Sequence, residues 1–193
     1  MQGILSRKAR PFRRLLVYVL KMRGTGHGPP RPPLAEIGWS WLGSFLGMAL
    51  IAVLHARIMA QSDLTLLIGS FGASAVLVFG AIRSPLGQPR NLVGGHVLSA
   101  VVGVACFQLL GDMPQLAVPA AVATAIAVMH ATRTLHPPGG ATALIAVIGS
   151  ERIHELGYLF ALIPAGSGAV LMLVVGLLVN NLSRGRRYPQ FWL

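Results

Sequence analysis

Beyond residue 36 the chain alternates long apolar runs with short breaks rich in glycine, proline or charge. Six runs stand out, covering residues 37–54, 64–82, 91–110, 114–131, 138–149 and 158–182. Four of them approach the roughly 20 residues that a bilayer-spanning helix needs. The fifth is short, worth about 18 Å of helix. The second is long enough, but Gly69, Ser70, Gly72 and Ser74 weaken its apolar character. The pattern predicts an all-α membrane protein of about six transmembrane segments, the second and fifth short or broken.

Composition narrows the class. Hydrophobic residues make up 54% of the 193 and charged residues only 11%, against about 25% charged in a soluble domain. The net charge of +11 would suit either nucleic acid or anionic lipid. Half of the basic residues precede Pro32 and most others flank apolar runs, which favours the membrane and excludes nucleic acid as the partner. Arg7, Lys8, Arg10, Arg13, Arg14, Lys21, Arg23 and Arg31 accompany Phe12, Leu15, Leu16, Val19 and Leu20 at helical spacing. Such an arm lies in the interface of an anionic inner leaflet rather than crossing it. Three regions follow: a basic amphipathic arm with a Gly/Pro linker over 1–35, a transmembrane transport domain over 36–183, and a short basic tail over 184–193. Cys106 is alone inside an apolar run, so neither a disulfide framework nor a zinc site is expected. The six histidines have no metal-ligand spacing, and no cofactor is expected.

Loop charges give an orientation. Six crossings with a cytoplasmic N-terminus put the arm, Arg83, Arg90, Arg133, Arg184, Arg186 and Arg187 inside. Only Arg57 and Arg152 fall outside. Making the second and fifth segments re-entrant would move Arg83, Arg90 and Arg133 outside, so the positive-inside rule prefers six crossings. The expectation is an integral protein of a bacterial inner membrane with both termini cytoplasmic.

The two weak segments resemble each other. Gly72-Ala73-Ser74-Ala75 matches Gly140-Ala141-Thr142-Ala143 at an offset of 68, and each is the middle member of a triplet. An odd number of spans per half requires inverted topology, a recurrent transporter plan. In His136-Pro137-Pro138-Gly139-Gly140-Ala141-Thr142 the prolines start a helix. The N–H groups of Gly139, Gly140 and Ala141 would then be free for an anion. Ser70 would similarly cap a helix beginning near Phe71–Gly72 and expose Gly72 and Ala73. Two facing half-helix N-termini would thus form an anion site. The competing reading makes these small residues close helix–helix contacts.

The run His136-Pro137-Pro138-Gly139-Gly140-Ala141-Thr142-Ala143-Leu144 resembles the signature of the HPP family of integral membrane proteins. Gly69-Ser70-Phe71-Gly72-Ala73-Ser74-Ala75 looks like a second family block, and the stretch from Ser84-Pro85-Leu86-Gly87 to Gly94-Gly95-His96 a third. Members from photosynthetic lineages are known as nitrite transporters. The resemblance therefore implies a small inorganic anion, nitrite first; separately, no nucleotide control is expected. The family is commonly described with four spanning helices, in conflict with the charge pattern.

On these grounds the expected substrate-binding residues are Ser70, Gly72, Ala73, Ser74, His136, Gly139, Gly140, Ala141 and Thr142. Arg90, Asn91, His96 and Arg133 are expected along the substrate path. Arg90 and Arg133 equally suit snorkelling cytoplasmic charges, and His96 a hydrogen-bonded packing residue. His55, His130 and His154 are expected near the surfaces, and Trp39, Trp41, Tyr188 and Trp192 in an interfacial aromatic belt. Gly43-x-x-x-Gly47 permits close helix packing and a homo-oligomer. No Asp or Glu lies within the six runs, which argues against an enzyme. The alternative to transport is a membrane scaffold or assembly subunit.

Overall fold

The computed structural model describes residues 16–22, 28–57 and 61–193. Most of the basic arm, with Phe12 and Leu15, lies outside the described residues. Residues 16–20 are helical and exposed, within a unit, Met1–Pro32, separate from the bundle that begins at Pro33.

The bundle contains α1 (Leu34–His55), α2 (Gln61–Ala75), α3 (Pro89–Leu110), α4 (Pro114–Ala131), α5 (Pro137–Ile148), α6 (Glu151–Leu156) and α7 (Ser167–Asn180). There is no strand among the described residues. Prolines open α3, α4 and α5, where a missing N–H and a fixed φ suit the first turn. A π-helical turn, Val76–Gly80, extends α2. The expected sixth segment is not a single helix. A 3-10 turn, Gly157–Ala161, and a π turn, Leu162–Gly166, precede α7. Ile163 is extended (φ −134°, ψ 118°) because Pro164 follows it.

Hydrogen bonds sort the helix ends into two groups. At one end Ser40 near the start of α1 donates to the Phe79 carbonyl (2.8 Å), and Asn180 ends α7 on the Val78 carbonyl (2.9 Å). Asn91, opening α3, donates to the Leu135 carbonyl before α5 (2.8 Å). At the other end the Ser167 hydroxyl lies 3.4 Å from the His55 ring, Asp63 takes the Ser150 N–H (2.9 Å), and Phe107 stacks on His154. Each of α1, α2, α3, α4, α5 and α7 therefore runs between the same two ends. Arg83, Arg90, Arg133, Arg184, Arg186 and Arg187 gather at the first, hereafter the arginine end. His55 is buried at the opposite end, and Asp63 lies inside α2, since that helix starts earlier than its apolar run.

By length and composition four helical stretches could cross a bilayer: Leu34–His55, Pro89–Leu110, Pro114–Ala131 and Glu151–Asn180. Leu67–Gly80 and Pro137–Ile148 are apolar but shorter. Leu109, Trp41, Phe45, Val53, Val76 and Leu178 are among the apolar side chains left exposed, as a lipid-facing surface requires.

Three apolar clusters hold the bundle. Ile51 of α1, Leu67 and Phe71 of α2, Phe79 of the π turn and Met172 of α7 form one. Ala117, Ala121 and Ala125 of α4 with Ala143 and Val147 of α5 form another. The third joins Ala100 and Val104 of α3 to Ile145 of α5 and Phe160 of the 3-10 turn. Gly43 and Gly47 serve the first: a side chain at Gly43 would collide with the Phe79 ring, and one at Gly47 would press on Met172 and Phe79. That glycine pair packs within the chain.

The C-terminal residues are tied to the arginine end. Arg186, 5% exposed, donates to the Phe79 and Glu36 carbonyls and lies 3.7 Å from the Glu36 carboxylate. Burial pulls its guanidinium below the ordinary arginine value, with Glu36 opposing. Tyr188 is buried rather than interfacial. Its hydroxyl donates to the Gly87 carbonyl (2.8 Å), and burial pushes the phenol up, keeping it a neutral donor. Trp192 remains exposed.

Candidate functional site

α2 and α5 lie antiparallel along their length. Asp63 pairs with Ser150, Ser70 with Thr142, and Ser74 with His136, each step moving up one helix and down the other. α3 packs across this seam. Its small residues permit the approach: a side chain on Gly94 would strike Thr134, and one on Gly95 would strike His136. His96, next on that face, enters the seam with its ring 4.6 Å from Phe71 and 5.1 Å from His136.

The result is a continuous polar network in an otherwise apolar interior. Ser70, Ser74, His96, His136 and Thr142 are all buried, with 0–1% exposure. His136 Nδ1 lies 2.8 Å from the Leu86 carbonyl and its Nε2 2.9 Å from Ser74 Oγ. Ser74 Oγ also meets His96 Nε2 at 2.8 Å, and His96 Nδ1 meets Thr142 Oγ1 at 2.7 Å. Thr142 Oγ1 lies 3.0 Å from Ser70 Oγ, which is 2.9 Å from the Pro138 carbonyl.

The hydrogen positions follow from the acceptors. A carbonyl only accepts, so a neutral His136 carries its hydrogen on Nδ1 and leaves Nε2 to accept. Ser74 must donate to it. The single Ser74 hydrogen being used, His96 donates from Nε2 and accepts at Nδ1, from Thr142. Ser70 then donates to Thr142 and the Pro138 carbonyl together. Every donor has an acceptor, and the chain runs one way, from Ser70 to Leu86. An unpaired buried polar group costs about 1–3 kcal/mol, so closure of this network stabilises the seam.

The expected anion site at facing helix starts is not what forms. α2 begins at Gln61, so Ser70 sits mid-helix and caps nothing. The N–H groups of Gly72 and Ala73 belong to turns of that helix, Ala73 is exposed, and Gly72 has no neighbour within 4 Å of an added Cβ. α5 does start at Pro137, with His136 extended before it. Pro137 and Pro138 have no N–H, however, and Gly139 gives its own to the His136 carbonyl at 2.8 Å. Of the three N–H groups expected to hold an anion at this start, that of Gly139 is thus already taken. Gly140 faces away from the close contacts, an added Cβ there meeting only Val122 at 3.8 Å.

The remaining candidates separate likewise. Asn91 positions the turn before α5 through Leu135. Arg90 is partly buried, with Nε lacking a partner. Arg133 is exposed with φ 58°, the left-handed position that ends α4, where glycine is usual. Neither arginine joins the network. Ser99, one turn beyond His96, was not foreseen: its hydroxyl is fully buried, unpartnered, and lies where a side chain on Gly139 would go. Leu86 was also missed, since only its carbonyl takes part; the Pro85-Leu86-Gly87-Gln88-Pro89 run was the available clue. No metal-holding group of His, Cys, Asp or Glu occurs among the described residues.

Fold and site define a polytopic helical membrane protein with a buried polar network at the seam of two short helices. The family profile for the HPP transmembrane region matches residues 29–189, and the chain belongs to that family. It is 47% identical to each of two transmembrane proteins of Dictyostelium discoideum. The matches cover 91% and 92% of this chain, and 57% and 64% of those proteins, so the chain spans less than two thirds of their length. No solved structure matches it.

Gly139 and Gly140 should respond differently to the same change. A Cβ on Gly139 would lie 2.7 Å from Ser99 Oγ and 2.8 Å from the Gly95 carbonyl, so Gly139→Ala should lower thermal stability in detergent. Gly140→Ala has room and removes a helix glycine, which typically gains roughly 0.5–1 kcal/mol. Thermal unfolding monitored by circular dichroism compares the two; equal destabilisation would contradict this packing.

Proposed function

We propose that this protein carries a small inorganic anion across a membrane, nitrite first, with the Ser70–Ser74–His96–His136–Thr142 network as the substrate-handling site. One observation carries the reading: two imidazoles and three hydroxyls are gathered in the interior of a bundle whose outer face is apolar. Polar and ionisable side chains at membrane depth are expensive, roughly 3 kcal/mol for a charge near the centre, and mark pathways more often than packing. The family resemblance supplies the substrate class.

The same reading takes all six apolar segments, the two short ones included, as crossings arranged as two inverted halves. In its support, α7 shares a cluster with α1 and α2, while α3 packs Val102, Cys106 and Phe107 against the cluster of α4 and α5, so each half's third helix reaches its counterpart. Ser70 and Ser74 stand at the positions equivalent to Pro138 and Thr142, and all four meet at the seam. The arginine end is then cytoplasmic, with both chain termini there. We take the membrane to be a bacterial inner membrane, a placement that the relatives from an amoeba neither require nor oppose. Anionic lipid of the inner leaflet would hold the basic arm.

Purified protein in liposomes should take up nitrite above the protein-free background, with formate and chloride measured alongside. His96→Leu should reduce uptake to background while the protein stays monodisperse. A scaffold would move none of the three anions, and that outcome would end the transport reading.

Topology has its own check. With Cys106 replaced, an impermeant thiol reagent added outside should label Asp112→Cys but not Arg83→Cys; both residues are exposed. External labelling of Arg83→Cys would exclude six crossings.

A further inference from the structure

The polar network has a direction, and that direction bears on what drives transport. In the neutral state its donors and acceptors are matched, so it offers an anion no free hydrogen and no charge. A proton placed on His96 Nδ1 changes both. The imidazolium now donates to Thr142 Oγ1 as well as to Ser74. Thr142 must turn its own hydroxyl hydrogen away, where the Pro138 carbonyl is the nearest acceptor at 3.4 Å, a long contact for an O–H donor that an anion can replace. Ser99 Oγ, one turn along α3 and without a partner, adds a second hydroxyl near the start of α5. The seam's carboxylate among the described residues, Asp63, lies seven residues before Ser70, about 10 Å along α2, and is tied to Ser150, so it does not touch His96 to balance the new charge.

The groups facing His96 are few. α2 presents Ser70, Phe71 and Ser74, and α5 presents Thr142 with His136 at its cap. Across the other neighbours of α3, α4 has only the exposed His130 and the 3-10 turn only the exposed Tyr158. The π turn, α7 and Pro85–Gly87 bring no titratable group, and Arg90 stands on α3 itself, about 9 Å along the axis. Among the described residues His136 is thus the one titratable side chain in contact with His96.

Resting on the transport reading above, we propose that the protein is a proton–anion symporter in which His96 binds the proton and Ser74 and His136 pass it to the arginine end. The transfer balances. His96 gains a proton at Nδ1 and gives up the one on Nε2 to Ser74 Oγ. Ser74 passes its hydroxyl proton to His136 Nε2, and His136, whose Nδ1–H is held by the Leu86 carbonyl at rest, would give that proton to bulk water at the arginine end when the Leu86 turn moves off the ring. One proton has moved, no bond between heavy atoms has changed, and the released anion leaves with no charge stranded in the membrane. The passage leaves a bare Nδ1 facing the Leu86 carbonyl, two lone pairs opposed, which favours return to the starting arrangement. The hydrogen-bond direction at rest suits discharge toward the arginine end, and so proton and anion enter from the opposite side.

Liposomes containing the wild-type protein and an internal pH indicator test this with nitrite as the probe, against protein-free vesicles. Nitrite uptake should acidify the lumen with one proton per anion, follow an imposed pH gradient and ignore an imposed membrane potential. Ser74→Ala keeps His96 but cuts the release path. It should lose net uptake while still exchanging labelled for unlabelled nitrite, a split that mere loss of packing would not produce. Uptake driven by membrane potential without acidification would overturn the symport and leave the carrier reading standing. Equal loss of net uptake and exchange in a stably folded Ser74→Ala protein would overturn the release path. No nitrite movement by the wild-type protein would instead defeat the transport reading on which the proposal rests.

Discussion

The antiparallel seam between α2 and α5 is the contact on which the rest of the bundle depends. Both helices are short, Gln61–Ala75 and Pro137–Ile148. What joins them is a set of hydroxyls, Ser70, Ser74 and Thr142, completed by two imidazoles from other elements. In a bilayer there is no water to take over a broken hydrogen bond. Each member therefore holds its neighbours in place, and the network is satisfied only when α3 and the turn before α5 are also seated.

That requirement explains the small residues around it. Gly94 and Gly95 let α3 lie against Thr134 and His136, Gly103 lets it lie on the Ala143 carbonyl, and Gly139 lets α5 approach Ser99. Further out, Asn91, Asn180, Arg186 and Tyr188 each spend a side-chain donor on a backbone carbonyl near a helix end. The carbonyls so satisfied include those of the π turn and of Gly87, where regular helical bonding has lapsed. Polar side chains thus repair the irregular backbone at the arginine end, and the seam receives a fixed Leu86 carbonyl to terminate on.

Much of this was legible from residues alone, for reasons that differ from place to place. The six runs were visible because proline and glycine bound them sharply, and the starts of α3, α4 and α5 fall on prolines. Ser70, Ser74, His96, His136 and Thr142 were all singled out, but the chemistry attributed to the helix starts was wrong. A Pro-Pro pair was read as the opening of a helix with free N–H groups, when Pro137 and Pro138 carry no hydrogen and Gly139 gives its own to the His136 carbonyl. The Gly/Ser content of 69–74 was read as a break, yet tertiary contacts with α5 keep α2 helical through it. Tyr188 was read as interfacial and Arg186 as one more inside charge, because nothing local in the sequence shows that the tail folds back on Gly87 and Phe79. Ser99 had no visible mark at all: one hydroxyl in an apolar helix becomes notable only once its lack of a partner is seen.

The central claim is that the two buried histidines hold opposite tautomers in a one-way chain. Nitrogen-15 NMR of histidine-labelled protein in lipid bilayers, with signals assigned by loss in His96→Gln and His136→Gln, measures this directly. At neutral pH the His136 ring should carry hydrogen on Nδ1 and the His96 ring on Nε2. The same tautomer on both rings, or hydrogen on Nδ1 of a neutral His96, would contradict the account.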